Sequence, residues 1–325
     1  MTGALTGVRL HPGRPPLLDA GPSGDATGWA ERHGDALRDL VDEHGKVLVR
    51  GLGLRSVADV DAVATRLGPG SYAEREPFAP RTVLSDGVYA DTPWPANQVM
   101  CAHHELSYVA ETPATLLFAC LSPPDSGGAT GLADSARVLA ALPAELVTRF
   151  EREGWWLTRT YGDGIGASWE QALGSTDPAE VEWYCRANAI SHEWLDGGGL
   201  RTHQHRYAVL VHPGTGEKVW FNQVAFLSEW AMDPEVREFL LELHGPDGLP
   251  FSTRFGDGSP IPADVVEEIN AAHDAHTVRE PWQAGDLLIV DNLRVAHGRD
   301  PYTGPREVVV AMTDGVALPV PGGQQ

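Results

Sequence analysis

Asp286-Leu287-Leu288-Ile289-Val290-Asp291-Asn292-Leu293-Arg294-Val295-Ala296-His297-Gly298-Arg299-Asp300 holds a short apolar run near its start and a histidine, His297, near its end. The run at 287–290 is aliphatic and bounded by aspartates, so it reads as a strand between turns. Runs of the same kind recur at 46–50, 114–120, 207–212, 218–221 and 307–312, each set off by Gly, Pro or Asp. Helical spacing predicts helices at 29–41, ended by Gly45, and at 57–67, capped by Ser56. Further helical stretches are expected near 144–153, 178–187, 234–244 and 262–276. Scattered short strands with helices between them lack the regular alternation of a doubly wound sheet. The expected fold is mainly β with inserted helices, a β-sandwich or jelly roll.

The chain has 325 residues with 42% hydrophobic character, and no composition shift or long linker divides it. One domain spanning 1–325 is expected, with a loop-like arm at 1–26, where 11–26 are rich in Pro and Gly. Forty-five acidic against 24 basic residues give a net charge of -21, which repels nucleic-acid phosphates and anionic membrane surfaces. Cys101, Cys120 and Cys185 follow no metal-like or redox-like spacing, which fits a reducing compartment. The first ten residues lack a basic stretch followed by an apolar run, and no segment approaches ~18 uninterrupted apolar residues. A soluble, cytoplasmic protein is expected.

The chemistry is concentrated in Met100-Cys101-Ala102-His103-His104-Glu105-Leu106-Ser107-Tyr108. In an extended strand, residues two apart share a face, so His103 and Glu105 point together while His104 points away. An imidazole and a carboxylate so placed are two legs of a facial metal triad, or simply a hydrogen-bonded pair. Two histidines and one carboxylate leave open positions on an octahedral iron for a cosubstrate and dioxygen. A catalytic zinc with bound water suits the same ligands.

Four features in order decide between these readings: His103-x-Glu105, Thr130 in Gly127-Gly128-Ala129-Thr130, Asp291-Asn292 with His297, and Arg306 in Gly304-Pro305-Arg306. In them the chain resembles the taurine dioxygenase-like, or TauD/TfdA, family of iron and 2-oxoglutarate oxygenases, which share the clavaminate synthase-like double-stranded β-helix. The resemblance covers roughly 46–312 and is weakest at 155–199, where a lid or insertion is expected. It implies Fe(II) bound by His103, Glu105 and His297, and the distal carboxylate of 2-oxoglutarate bound by Thr130 and Arg306. A guanidinium fork suits that carboxylate through two parallel charge-assisted hydrogen bonds. It further implies that O2 and 2-oxoglutarate are consumed, with release of succinate and CO2, as an unactivated carbon is hydroxylated. A zinc hydrolase leaves Thr130 and Arg306 without a task, and a silent jelly-roll binding module leaves the intact triad without one.

Within the family the likeness is greater to the SyrP-like branch, associated with peptide natural-product pathways. It rests on 181–185, 200–202 and His212-Pro213-x-Thr215-Gly216-Glu217-x-Val219-Trp220-Phe221-Asn222-Gln223. Halogenating relatives lose the carboxylate ligand, so Glu105 points to hydroxylation, with desaturation and epoxidation left open. Acid-using members carry a further Arg where this chain has Val310, which argues against taurine. The implied substrate is an amino acid or amino-acid-derived unit, free or tethered to a carrier protein, oxidised at its β-carbon. Gln98 and Asn222 are candidate substrate contacts. His192, His203, His205, His273 and His276 lack partner motifs and are expected in surface or loop roles.

Overall fold

The computed structural model describes residues 7–21, 24–68, 70–162, 167–245 and 248–321. Its frame is a pair of facing sheets. The larger has eight strands in the order Val8–Arg9, Leu17–Asp19, Lys46–Arg50, Leu287–Asp291, Glu111–Ser122, Glu307–Ala317, Val88–Ala90 and Val83–Ser85. The smaller has four, Thr277–Val278, Thr130–Asp134, Val295–Arg299 and Met100–His103. This is the jelly-roll arrangement expected from the strand pattern.

The central strands of the larger sheet are apolar without alternation because both of their faces are covered. Leu288 and Val290 point between the sheets with Leu116, Phe118, Val308, Val310 and Met312. Leu287 and Ile289 point the other way, beside Leu117, Val309 and the buried faces of helices Ala26–His44 and Val57–Leu67. Each such side chain contributes roughly 1.5–3 kcal/mol of transfer free energy. The first helix ends at Gly45 in the left-handed region, φ 74°, and the second starts with a reciprocal Ser56–Asp59 capping box.

The segment expected as a loop-like arm departs from that reading. Leu17 and Leu18 are buried, and Leu17–Asp19 pairs in parallel with Lys46–Arg50 at the side of the larger sheet. Pro and Gly punctuate this stretch without preventing a three-residue strand, which lies between Lys46–Arg50 and the two-residue edge strand Val8–Arg9. His273 departs as well: it is buried in helix Ala263–Ala275, its Nδ1 donating to the Ile269 carbonyl.

The stretch where an insertion is expected carries a separate sheet, in the order Ile190–Trp194, Leu200–Arg206, Trp155–Tyr161 and Phe251–Phe255. Its inward side chains join the core through Glu76. Arg159 and the Tyr108 hydroxyl donate to the Glu76 carbonyl, while Tyr184 and Gln204 donate to its carboxylate. Glu76 sits at φ 57°, a strained conformation that this set of contacts holds in place.

Candidate active site

His103 and His297 are direct cross-strand partners in the smaller sheet. Antiparallel neighbours bring such side chains within about 5 Å of each other. The ring centroids lie 4.4 Å apart, with Phe226 stacked on His103 at 4.3 Å and Phe118 set against His297 at 5.1 Å. Gly298 permits this close pairing, since a Cβ there would meet the Met100 carbonyl at 2.6 Å.

The strand ends at His103, and Glu105 lies on the turn beyond it. Glu105 nevertheless joins the histidines, because its backbone is gripped from the other half of the molecule. The Asn292 amide accepts from Glu105 N at 2.8 Å and donates to Glu105 O at 2.9 Å and to Pro113 O at 2.8 Å. Leu106 follows in the left-handed region at φ 51°, which swings the chain away from the cavity. One ligand atom from each of His103, Glu105 and His297 can be chosen with all three within 4.8 Å of one another.

The donor set fits a divalent ion. The Nδ1–H of His103 donates to the Cys101 carbonyl at 3.0 Å, leaving the Nε2 lone pair for a metal. Burial, then the neighbouring His297, push His103 down to about 3, so the ring is neutral as a ligand must be. Burial alone would raise the Glu105 carboxyl, but Arg81 and the imidazoles hold it well below the usual carboxylate range. His297 Nε2 stands 3.7 Å from Glu105 Oε2.

Thr130 and Arg306 line the same narrow cavity, with Arg81, Asp91, Phe118, Arg299 and Val310. Arg306 donates to the Gly128 carbonyl at 3.2 Å and forms an ion pair with Asp91. A glycine is needed at 128: φ is 66°, and a Cβ would approach Arg306 Cδ to 3.2 Å. Arg299 spends its guanidinium on the carbonyls of Trp94 and Pro95.

The two candidate substrate contacts fall elsewhere. Gln98 is exposed on a turn, and its carbonyl lies 3.5 Å from Arg299. Asn222 is buried with its amide engaged by the backbone, donating to Ala208 O at 2.9 Å and accepting from Val224 N at 3.0 Å, so it closes a loop. His104 does point away from the cavity. Its Nδ1 meets the Asn292 carbonyl at 2.5 Å, and its Nε2 meets the Trp220 carbonyl at 2.9 Å and the Ser135 hydroxyl at 2.8 Å. The His-Pro-x-Thr-Gly-Glu segment buttresses the same region: His212 Nε2 meets Asp291 at 2.9 Å, and Gln223 donates to His104 O at 2.6 Å.

Arg81, Asp91 and Phe226 went unread in the sequence. All three sit in irregular stretches with no periodic or motif signal. Asn292 was inside a quoted motif, and only the fold shows what its amide holds.

The family model described as taurine catabolism dioxygenase TauD, TfdA family, matches residues 14–312. The chain is 35% identical over 278 residues to the dapdiamide synthesis protein DdaC of Enterobacter agglomerans, covering 86% of this chain and 84% of that protein. It is 30% identical over 290 residues to a clavaminate synthase-like protein of Arabidopsis thaliana, with 85% and 83% covered. Solved structures share the fold. PvcB of Pseudomonas aeruginosa superposes with a TM-score of 0.55 at 14% identity, covering 94% of this chain and 89% of that one. A taurine dioxygenase from Burkholderia xenovorans gives 0.53 at 17% identity, with 98% and 91% covered. With its model matched along nearly the whole chain, over a His-Glu-His cluster suited to iron, the protein belongs to the TauD/TfdA family and is an iron- and 2-oxoglutarate-dependent dioxygenase.

Proposed function

We propose that this dioxygenase hydroxylates an unactivated carbon, the β-carbon of an amino acid or amino-acid-derived unit, in natural-product biosynthesis. In this reading His103, Glu105 and His297 hold iron, and Thr130 with Arg306 hold the distal carboxylate of 2-oxoglutarate. The observation that carries it is the gathered triad with its carboxylate leg intact. The similarity to a protein of dapdiamide synthesis supports a role in making an amino-acid-derived product.

When bound, iron and 2-oxoglutarate use O2 to oxidise a substrate C–H bond, releasing succinate and CO2. The chain's own residues bind, orient and exclude water. His103 presents Nε2 because Cys101 holds its other nitrogen. Glu105 is set by Asn292 through the backbone, which leaves its carboxylate free to turn inward. Phe118, Phe226 and Val310 wall the site with apolar surface and keep bulk water from the reacting carbon.

The test is product mass together with cosubstrate dependence. With free amino acids and with an aminoacyl carrier protein, one of them gains one oxygen in step with succinate release. Loss of two hydrogens would instead identify desaturation. Arg306→Gln is expected to raise KM for 2-oxoglutarate about a hundredfold while bound iron stays the same. An unchanged KM would remove Arg306 from the cosubstrate site.

A further inference from the structure

We propose that Arg81 anchors a carboxylate of the substrate beside the metal, so that the enzyme takes a free acid in preference to a carrier-bound ester or thioester. This rests on the metal-site reading above and adds to it the group by which substrate is recognised.

Arg81 lines the cavity formed with His103, Glu105 and His297, and its side chain is only 7% exposed. Among the described residues it makes one hydrogen bond, Nη2 to Glu105 Oε2 at 2.8 Å. Its other charge partner, Glu74 Oε1, lies 3.7 Å from Nε, too far for a hydrogen bond. A guanidinium has five N–H donors in a rigid fork, so most of this one's capacity is unspent. Burying such a group is costly unless it is paired and hydrogen-bonded.

The other cations of the cavity are more heavily engaged: Arg306 is held by Asp91 and the Gly128 carbonyl, and Arg299 places its Nη atoms on the carbonyls of Trp94 and Pro95, leaving only its Nε without a partner among the described residues. The strand after Arg306 offers the cavity only Val310, which gives an anion nothing. A metal on Glu105 would share that carboxylate's charge, leaving Arg81 with less than a full counter-charge at the spot where substrate must lie. A carboxylate entering there would receive two parallel N–H donors, a geometry an amide, ester or thioester carbonyl cannot match. With the α-carboxylate anchored, the β-carbon two bonds beyond it is turned toward the triad. A carrier-bound aminoacyl group has lost this carboxylate, and the anchor discriminates against it.

The experiment uses the full chain loaded anaerobically with Fe(II) and 2-oxoglutarate. Glycine and the other free L-α-amino acids, and their α-carboxamides, are titrated in while the visible metal-to-ligand charge-transfer band is followed. At least one acid is expected to perturb the band saturably, with its amide weaker by about a hundredfold. Arg81→Gln should reduce the acid to the level of its amide, with iron content and 2-oxoglutarate affinity within threefold of wild type, and Arg81→Lys should recover part of the difference. Equal binding of acid and amide overturns the proposal. So does an Arg81→Gln or Arg81→Lys variant that forms the band, even with weakened iron binding, and keeps its full preference for the acid, since Arg81 then serves Glu105 alone. A band that ignores every free acid but responds to an aminoacyl carrier protein overturns the anchor and leaves the metal site standing. Failure of the wild type to form the band overturns both.

Discussion

The two faces of the segment around His103, His104 and Glu105 differ in how completely their polar groups are satisfied. On the back, both nitrogens of His104 face partners, its carbonyl accepts from Gln223, and Asn292 clasps the backbone of Glu105. On the front, among the described residues, His297 Nδ1 and Glu74 Oε1 are buried without a hydrogen-bond partner, and Arg81 makes a single hydrogen bond. Buried polar groups in proteins are nearly always paired. The back is the more fully engaged of the two, although Ser107 Oγ and Gln223 Oε1 find no partner among the described residues; it holds the fold, while the front, with a buried guanidinium beside the triad, is the face suited to ligands.

That contrast breaks most visibly at the front. His297→Ala should lower turnover by at least about a hundredfold and abolish the charge-transfer band, with the unfolding transition of the metal-free protein little changed. A large loss of metal-free stability would mean that the front also supports the fold. At the back, Asn292→Ala should destabilise the metal-free protein by about 3 kcal/mol in urea unfolding, because several buried groups lose their partner together. If stability holds and only iron is lost, the two faces are one unit.

A smaller effect comes from Glu74, and its sign follows from linkage. Burial raises its carboxyl to about 7, so the folded state holds a proton that the unfolded chain releases near 4.5. Its contribution is complete below the unfolded pKa and is lost as pH rises through the folded value. Glu74→Gln should therefore gain stability relative to wild type as pH rises from 5 to 8, the gain levelling off above the folded value. A difference independent of pH would place the carboxylate charged throughout, paired with Arg81. Smallest of all, Gln98→Ala should change stability and KM for substrate by less than about 0.5 kcal/mol in free energy, being an exposed turn residue. A larger rise in KM would extend the front face to that turn.

Legibility in the sequence followed the same division. The four central strands of the larger sheet were readable because they are buried on both faces, leaving continuous apolar runs such as Leu287 to Val290. That His103, Glu105, His297, Thr130 and Arg306 belong together was readable because each falls in a short motif, and the fold gathers them at one cavity. Glu105 was expected on a strand and lies on a turn, since the force that orients it is a side chain 187 positions away. Leu17–Asp19 was hidden by its Pro-rich and Gly-rich setting, although pairing with Lys46–Arg50 suffices to make it a strand. Arg81, Asp91 and Phe226 act through tertiary placement, which no local pattern encodes. Asn222 carried a family-like context and proved to close a loop with its own neighbours.

The distance along the chain between Asn292 and Glu105 also sets an order of events during synthesis. Loop closure over such a span is entropically costly and comes late in folding. A growing chain that has displayed His103 and Glu105 has no third ligand until His297 emerges, and the amide that arranges Glu105 emerges only five residues before it. The oxidising centre is thus completed only after two of its apolar walls, Phe118 and Phe226, have been synthesised, while the third, Val310, follows it.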